Sequence, residues 1–192
     1  VALGYIALCS NTTGIANVGI GTNTFRAVTT GGDNTGVGSN VGLDLTTGDN
    51  NTFIGHDAGR SSSPSGTITT ASNRIVLGNN SVTNAYIRVA WTVTSDLRDK
   101  TEIENVPHGL AFVDKLKPVS FKFKKSREDD TPHGTKHYGF LAQDILELEG
   151  DNNVIIDDEQ PDHLKYKGEH LVPILVNAIK ELKKEIDLLK NK

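Results

Sequence analysis

"NVGIGTN" at 17–23 returns as "NTGVGSN" at 34–40 and again as "NTFIGHD" at 51–57. The period is 17 residues. "TTG" keeps the same phase at 12–14, 29–31 and 46–48, and "VALG" at 1–4 fits as the tail of an earlier copy. Self-similarity at a fixed short period is the signature of stacked repeats. Each copy offers a short alternating stretch, such as Val18-Gly19-Ile20-Gly21, then a turn rich in Asn, Thr and Gly. This suits very short strands joined by tight, often left-handed turns. The glycine and β-branched content excludes long helices. One copy carries only about three or four apolar side chains, so it must stack on neighbours or on other chains. The expectation for residues 1–60 is an all-β repeat, a β-solenoid or β-roll completed by oligomerisation. A disordered Gly/Asn-rich linker is the competing reading. The in-phase apolar residues Leu3, Ile20, Val37 and Ile54 argue against it.

Outward from the repeats, the chain changes character at one point. Residues 1–94 hold four basic residues, four acidic ones and no lysine; the other 16 basic and 20 acidic residues follow. Of the 19 glycines, 14 precede Ser95. The domain boundary is therefore read at 94/95. A net charge of −4 gives a general nucleic-acid role no electrostatic support. No run approaches the roughly 18 apolar residues of a membrane span, and no signal peptide is visible. Methionine is absent, which reads as a piece of something longer. A single cysteine, Cys9, excludes an internal disulfide framework and any CxxC metal site.

Between the repeats and the boundary, residues 61–94 read as a flexible loop, "SSSPSGTITTASN" (61–73), then strands in "RIVLG" and "NAYIRVAWTV". Ile87, Val89 and Trp91 alternate with Arg88, Ala90 and Thr92, and Trp91 reads as a packing residue. Residues 95–192 read as an α/β (α+β) domain. "ENVPHGLAFVDKL" (104–116) has helical spacing with Pro107 near its first turn. "PVSFKFK" (118–124) alternates as a strand, and "SREDDTPHGTK" (126–136) reads as a charged loop. "HYGFLAQDILELEG" (137–150) enters a helix closed by Gly150. "NNVIID" (152–157) is a short strand. The last helix, 170–192, carries Val172, Leu175, Ile179, Leu182, Ile186 and Leu189 at 3-4-3-4-3 spacing, the a/d seam of a coiled coil flanked by Glu and Lys. A single amphipathic helix packed on its own domain is the alternative. Leu171, Ile174 and Ala178 could let the upstream part do both.

For chemistry, the border itself supplies a pair. Ser95 stands five positions before Lys100. A serine needs an adjacent base to become a nucleophile. A lysine is that base only as the neutral amine, which desolvation or a nearby cation such as Arg98 favours and Asp96 or Asp99 opposes unless paired elsewhere. Five positions do not put two side chains on one helical face, though a bent backbone could join them. By spacing alone, Ser95 and Asp96 also read as a helix N-cap with Lys100 solvated. His133 and His137 lie at i,i+4, but Pro132 and Gly134 oppose a helix and no third ligand has metal spacing. No metal and no cofactor are expected. "HGTK" lacks the glycine-rich approach and the Ser/Thr of a phosphate loop.

Four ordered motifs carry a resemblance: "TSDLRDKTEIENV" (94–106), "LKPVSFKFK" (116–124), "HYGFLAQDI" (137–145) and "VPILVNAIKELKKEI" (172–186). Over residues 92–192 the chain resembles the C-terminal intramolecular chaperone domain of phage tail spikes, tail fibres and neck appendages, also classed as a self-cleaving peptidase. The repeats are similar to those of trimeric bacterial adhesin heads. The resemblance implies a homotrimer, whose chaperone domain holds three chains in register and then cuts itself off. It implies a cut between Thr94 and Ser95, with Ser95 as nucleophile, Lys100 as general base, and Asp96 and Arg98 positioning the loop. Gln143 and backbone amides are candidates for the oxyanion, and His137 is a further supporting candidate. It also implies a virion appendage facing a host cell surface. The rival readings are a permanently attached trimerisation domain without protease activity, and an enzyme acting on a separate substrate such as a glycan.

Overall fold

The computed structural model describes residues 1–151 and 153–191. Asn152, the first residue of the expected strand 152–157, and Lys192, the end of the expected helix 170–192, lie outside the described residues. The chain divides into two compact units, Val1–Ala85 with Lys122–Thr135, and Tyr86–Phe121 with Lys136–Lys192.

The first unit is built on β1 (Ala2–Leu3), β2 (Val18–Ile20), β3 (Thr35–Val37), β4 (Thr52–Ile54) and β5 (Ile75–Leu77), in a parallel sheet ordered as the chain runs. The register repeats the sequence period: Val18 pairs with Thr35, and Thr35 with Thr52. Short parallel strands need help from side chains, and asparagine supplies it. Asn17, Asn34 and Asn51 are buried and stacked. Asn17 Oδ1 accepts from the Asn34 backbone N–H and Nδ2, and Asn34 Oδ1 accepts in the same way from Asn51. Their amide groups donate sideways to the carbonyls of Gly31, Gly48 and Ala71. At the turn of each rung, a residue held at positive φ (Ala16, Asp33, Asn50, Asn73) turns the chain, which is why Asn and Asp recur there.

Three points that the sequence left open or read otherwise are decided in this unit. The in-phase apolar residues lie on the outer face of the sheet, from 36% exposed at Ile20 to 64% at Leu3. The interior strand position is instead Gly19, Gly36, Phe53, Val76. Phe25, from a turn, fills the space over the glycines: a Cβ on Gly36 would lie 2.6 Å from its ring. Phe25 and Phe53 then pack with centroids 5.9 Å apart, among Val28, Val41, Leu45, Ala58, Ile68 and Val76. Secondly, the rungs do not end near Gly59. Thr52 pairs with Ile75, so the step widens from 17 to 23 residues and a further rung follows. Thirdly, 61–73 is not a free loop. Ser63 and Ile68 are buried, and Thr69 accepts from both the backbone N–H and the hydroxyl of Thr46. Six inserted residues hide this rung from a fixed-period search.

β6 (Val119–Lys124) and β7 (Pro132–Gly139) form a hairpin. Strands joined by so short a connection must be antiparallel. Its turn closes through Lys125 N–H to the Thr131 carbonyl and is braced by the Lys124–Asp130 ion pair. β7 begins inside the stretch expected to be loop, so His133 and His137 lie on a strand.

The second unit holds α1 (Leu110–Val113), α2 (Ala142–Glu149), β8 (Ile156–Asp157) paired antiparallel with β9 (Lys165–Tyr166), and α3 (Leu171–Lys190). Its core is Phe112, Ile145, Ile155, Ile156, Leu171 and Ile174. The helix expected over 104–116 shrinks to four residues. The carbonyls of Val106 and His108 accept from Asn177 Nδ2, and Glu181 accepts the N–H of Leu110. Segment 106–110 thus runs along α3 rather than coiling on itself. α2 ends at Gly150 as expected, with φ +68. Among the described residues, 84–93 form no strand, against the expectation. Pro173 falls in the first turn of α3, where no intrahelical N–H is needed. Leu171, Ile174 and Ala178 face the unit's own core, while all six seam residues stay exposed, Val172 at 58% and Leu189 at 69%.

Candidate active site

Thr94 runs exposed and without regular structure into Ser95. Directly after it, Leu97–Asp99 form one turn of 3-10 helix. Asp96 caps that turn: its Oδ1 accepts the Arg98 backbone N–H at 2.9 Å. The same carboxylate takes the Arg98 guanidinium with both oxygens, Nε at 3.0 Å and a terminal nitrogen at 2.6 Å. The Asp96 and Leu97 carbonyls accept from the Asp99 and Lys100 N–H groups. The chain therefore doubles back, and Lys100 Nζ donates to Ser95 Oγ at 2.8 Å. This turn answers the spacing problem: a separation of five fits no helical face, but a capped single turn between extended ends closes it.

The electrostatics follow from the same contacts. The Arg98 guanidinium, and secondly its backbone N–H, hold the Asp96 carboxyl below its ordinary range. Arg98 is raised in return by Asp96. The Asp96 charge is thus spent on Arg98 rather than on stabilising a lysine ammonium. The sign of the pH dependence is set by the depressed value. The cap's contribution is complete above the unfolded carboxylate pKa and is lost as pH falls through the lowered one. An NMR titration should show the Arg98 amide leaving its hydrogen-bonded position only in that acidic window; movement near neutrality would contradict the pairing.

The other expected site residues lie elsewhere. His137, on β7, stacks its ring on Phe121 with centroids 5.7 Å apart. Gln143 is exposed in the first turn of α2. Neither hydrogen-bonds Ser95 or Lys100, whose side chains bond to each other. Sequence reading missed Asn177 and Glu181, which hold the segment following the site onto α3. An asparagine inside the apolar run "VPILVNAI" was the available signal. It also missed Glu149, whose carboxylate gathers the N–H groups of Val154, Ile155 and Ile156. Among the described residues no group of His, Cys, Asp and Glu could hold a metal, and no helix is long and apolar enough to cross a membrane.

The chain yields no match to any curated protein or to any solved structure. One family model does match, over residues 95–155, and its description is "chaperone of endosialidase". The match starts at Ser95 and covers the capped turn, the hairpin and α2. Residues 95–155 are therefore similar to the chaperone-of-endosialidase family, Peptidase_S74.

Proposed function

We propose that residues 95–192 trimerise and align an upstream β-structured appendage, then release themselves by cutting their own chain between Thr94 and Ser95. The observation that carries this reading is the 2.8 Å contact between Lys100 Nζ and Ser95 Oγ, at the residue where both composition and the family match change. With Lys100 neutral, the contact reverses and Nζ accepts the hydroxyl proton. Ser95 Oγ then bonds to the carbonyl carbon of Thr94. The Thr94–Ser95 C–N bond breaks, and the nitrogen leaves carrying the proton returned by Lys100. The product is an ester of Thr94 on Ser95 Oγ. Water hydrolyses it, giving a Thr94 carboxylate and a free Ser95 amino terminus. The attacked carbonyl is the serine's own preceding one, so proximity is built into the chain.

Chaperoning has a physical reason in the first unit. Strands of two or three residues, with glycine at interior positions, specify register weakly. Pairing between chains also has a high entropic cost before contacts form. The a/d seam of α3, exposed in the single chain, is suited to joining three helices and raising the local concentration of the repeats. Loss of the chaperone after folding leaves the product kinetically trapped. On this reading the repeats form a trimeric β-roll, and the part that remains after the chaperone leaves is a virion appendage that contacts a host surface.

The exposure of Ser95 and Lys100 in one chain also fits a permanent trimeriser without protease activity. The mass of the refolded, purified chain separates the two: cleavage gives two masses summing to the whole plus one water, and a single intact mass sinks the autoprotease reading. Trimerisation is tested independently. Leu182→Asp should turn the 95–192 assembly from trimer to monomer in sedimentation, with dissociation strengthened by on the order of 100-fold. An unchanged trimer would show that the seam is not the interface.

A further inference from the structure

Two residues past Lys100, Glu102 bends the chain with a φ of +51. Among the described residues beyond β5 it is the only non-glycine in the left-handed region. Asn and Asp tolerate that region, but a glutamate gains nothing from it. The Glu102 side chain is exposed and makes no hydrogen bond or ion pair. Residues 101–105 make no hydrogen bond either, so nothing local holds the bend. Such a conformation persists only where the surroundings impose it.

Both ends impose it. Before the bend stands the capped turn, which Lys100 leaves with extended backbone, φ −120 and ψ 145. After the bend the chain is strapped to α3. Asn177 Nδ2 donates to the carbonyls of Val106 and His108 at 3.2 and 3.1 Å, and Glu181 accepts the Leu110 N–H at 2.6 Å. The strap is tight, because a side chain on Gly109 would strike the Glu181 carboxylate. The His108 ring also packs on buried Phe112, with centroids 4.4 Å apart. From Lys100 to Val106 the chain reaches at most about 20 Å.

We infer that Glu102 is a positioning residue for the cut. Its left-handed backbone joins the strap on α3 to the turn that carries Ser95 and Lys100. The inference rests on the self-cutting reading above and adds a residue to it. With Val106 fixed, φ at Glu102 cannot change unless nearby dihedrals compensate. The nearest are those of Thr101 and Lys100, and the latter aim the lysine. The turn buries none of its residues, so no packing resists that change and the 2.8 Å contact with Ser95 is lost. The role belongs to the backbone of Glu102 and not to its carboxylate.

Substitutions that separate backbone from side chain test this. In the full chain, Glu102→Ala, Glu102→Asn and Glu102→Gly should cut at close to the unsubstituted rate, although none keeps the carboxylate. Glu102→Val, β-branched and out of place at positive φ, should slow cutting on the order of 100-fold, as a misplaced base does. If Glu102→Val cuts at the unsubstituted rate, or if Glu102→Ala and Glu102→Gly are as slow as Glu102→Val, the positioning role is overturned. A second measurement covers a Glu102→Val chain that folds poorly. In the full chain carrying Ser95→Ala, Glu102→Gly should unfold at higher denaturant than Glu102→Val. Extended backbone gives the opposite order, and finding it would also overturn the proposal. An unsubstituted chain that does not cut refutes the self-cutting reading itself, whereas the order of unfolding reads the backbone at Glu102 in a chain that cannot cut.

Discussion

Replacing Ser95 by alanine leaves a single 192-residue chain, where the unsubstituted protein refolds into pieces of 94 and 98 residues on a denaturing gel. This is the largest effect expected of any single change, since it removes the atom that forms the new bond. The substitution deletes one oxygen from an exposed side chain that accepts from Lys100, so the fold and the trimer should persist. Lys100 is tested alongside. Lys100→Arg keeps the positive charge and a donor to Ser95, but a guanidinium does not become a neutral base in proteins. Its cutting should fall by about 10²–10⁴-fold, the usual contribution of a positioned base. If Lys100→Arg cuts at the original rate, Lys100 acts as a positioning donor and the base lies elsewhere. If Ser95→Ala still yields both pieces, the nucleophile is not Ser95.

The second large effect lies in the repeats. Asn34 is fully buried and makes four hydrogen bonds with its side chain. Nδ2 donates to Asn17 Oδ1 at 3.1 Å and to the Gly48 carbonyl at 2.9 Å; Oδ1 accepts from the backbone N–H and the Nδ2 of Asn51, both at 3.0 Å. Asn34→Ala strands these groups with no room for bulk water. Each buried group left unpaired costs about 1–3 kcal/mol, so a loss of about 3–5 kcal/mol is expected. Asn34→Asp should be worse, because it keeps the acceptor but removes the donor and buries a charge. Denaturant unfolding of the full Ser95→Ala chain, followed by hydrogen exchange at residues 1–85, reads the effect where it belongs. A loss below about 1 kcal/mol would mean that the ladder is ornamental to stability.

Much of this was legible. The 17-residue phase located β2, β3 and β4, because identical residues recurring at a fixed spacing impose identical backbone. The alternation of Val119, Phe121 and Phe123 located β6, and Gly150 closed α2 as its conformational freedom predicts. Ser95 and Lys100 were picked out as types and positions, though spacing left their contact open.

What resisted reading was non-local. Alternation in Val18-Gly19-Ile20 allows either face to point inward, and a glycine looks like a turn signal rather than a core position. Only the stacked rungs show that Gly36 leaves room for the ring of Phe25, and that Ile20, Val37 and Ile54 therefore turn outward. The rung at β5 lay out of phase behind six extra residues. Residues 104–109 fell within the helix expected over 104–116, but the carbonyls of Val106 and His108 accept from Asn177, some 70 positions away. By itself the sequence determined the repeat period, the turn chemistry, the change of material at 94/95 and the residue types of the site, because these depend on near neighbours along the chain. The tertiary structure decided which face is interior, how far the rungs extend and that Lys100 meets Ser95. Those depend on which groups are left to pair once every turn has closed.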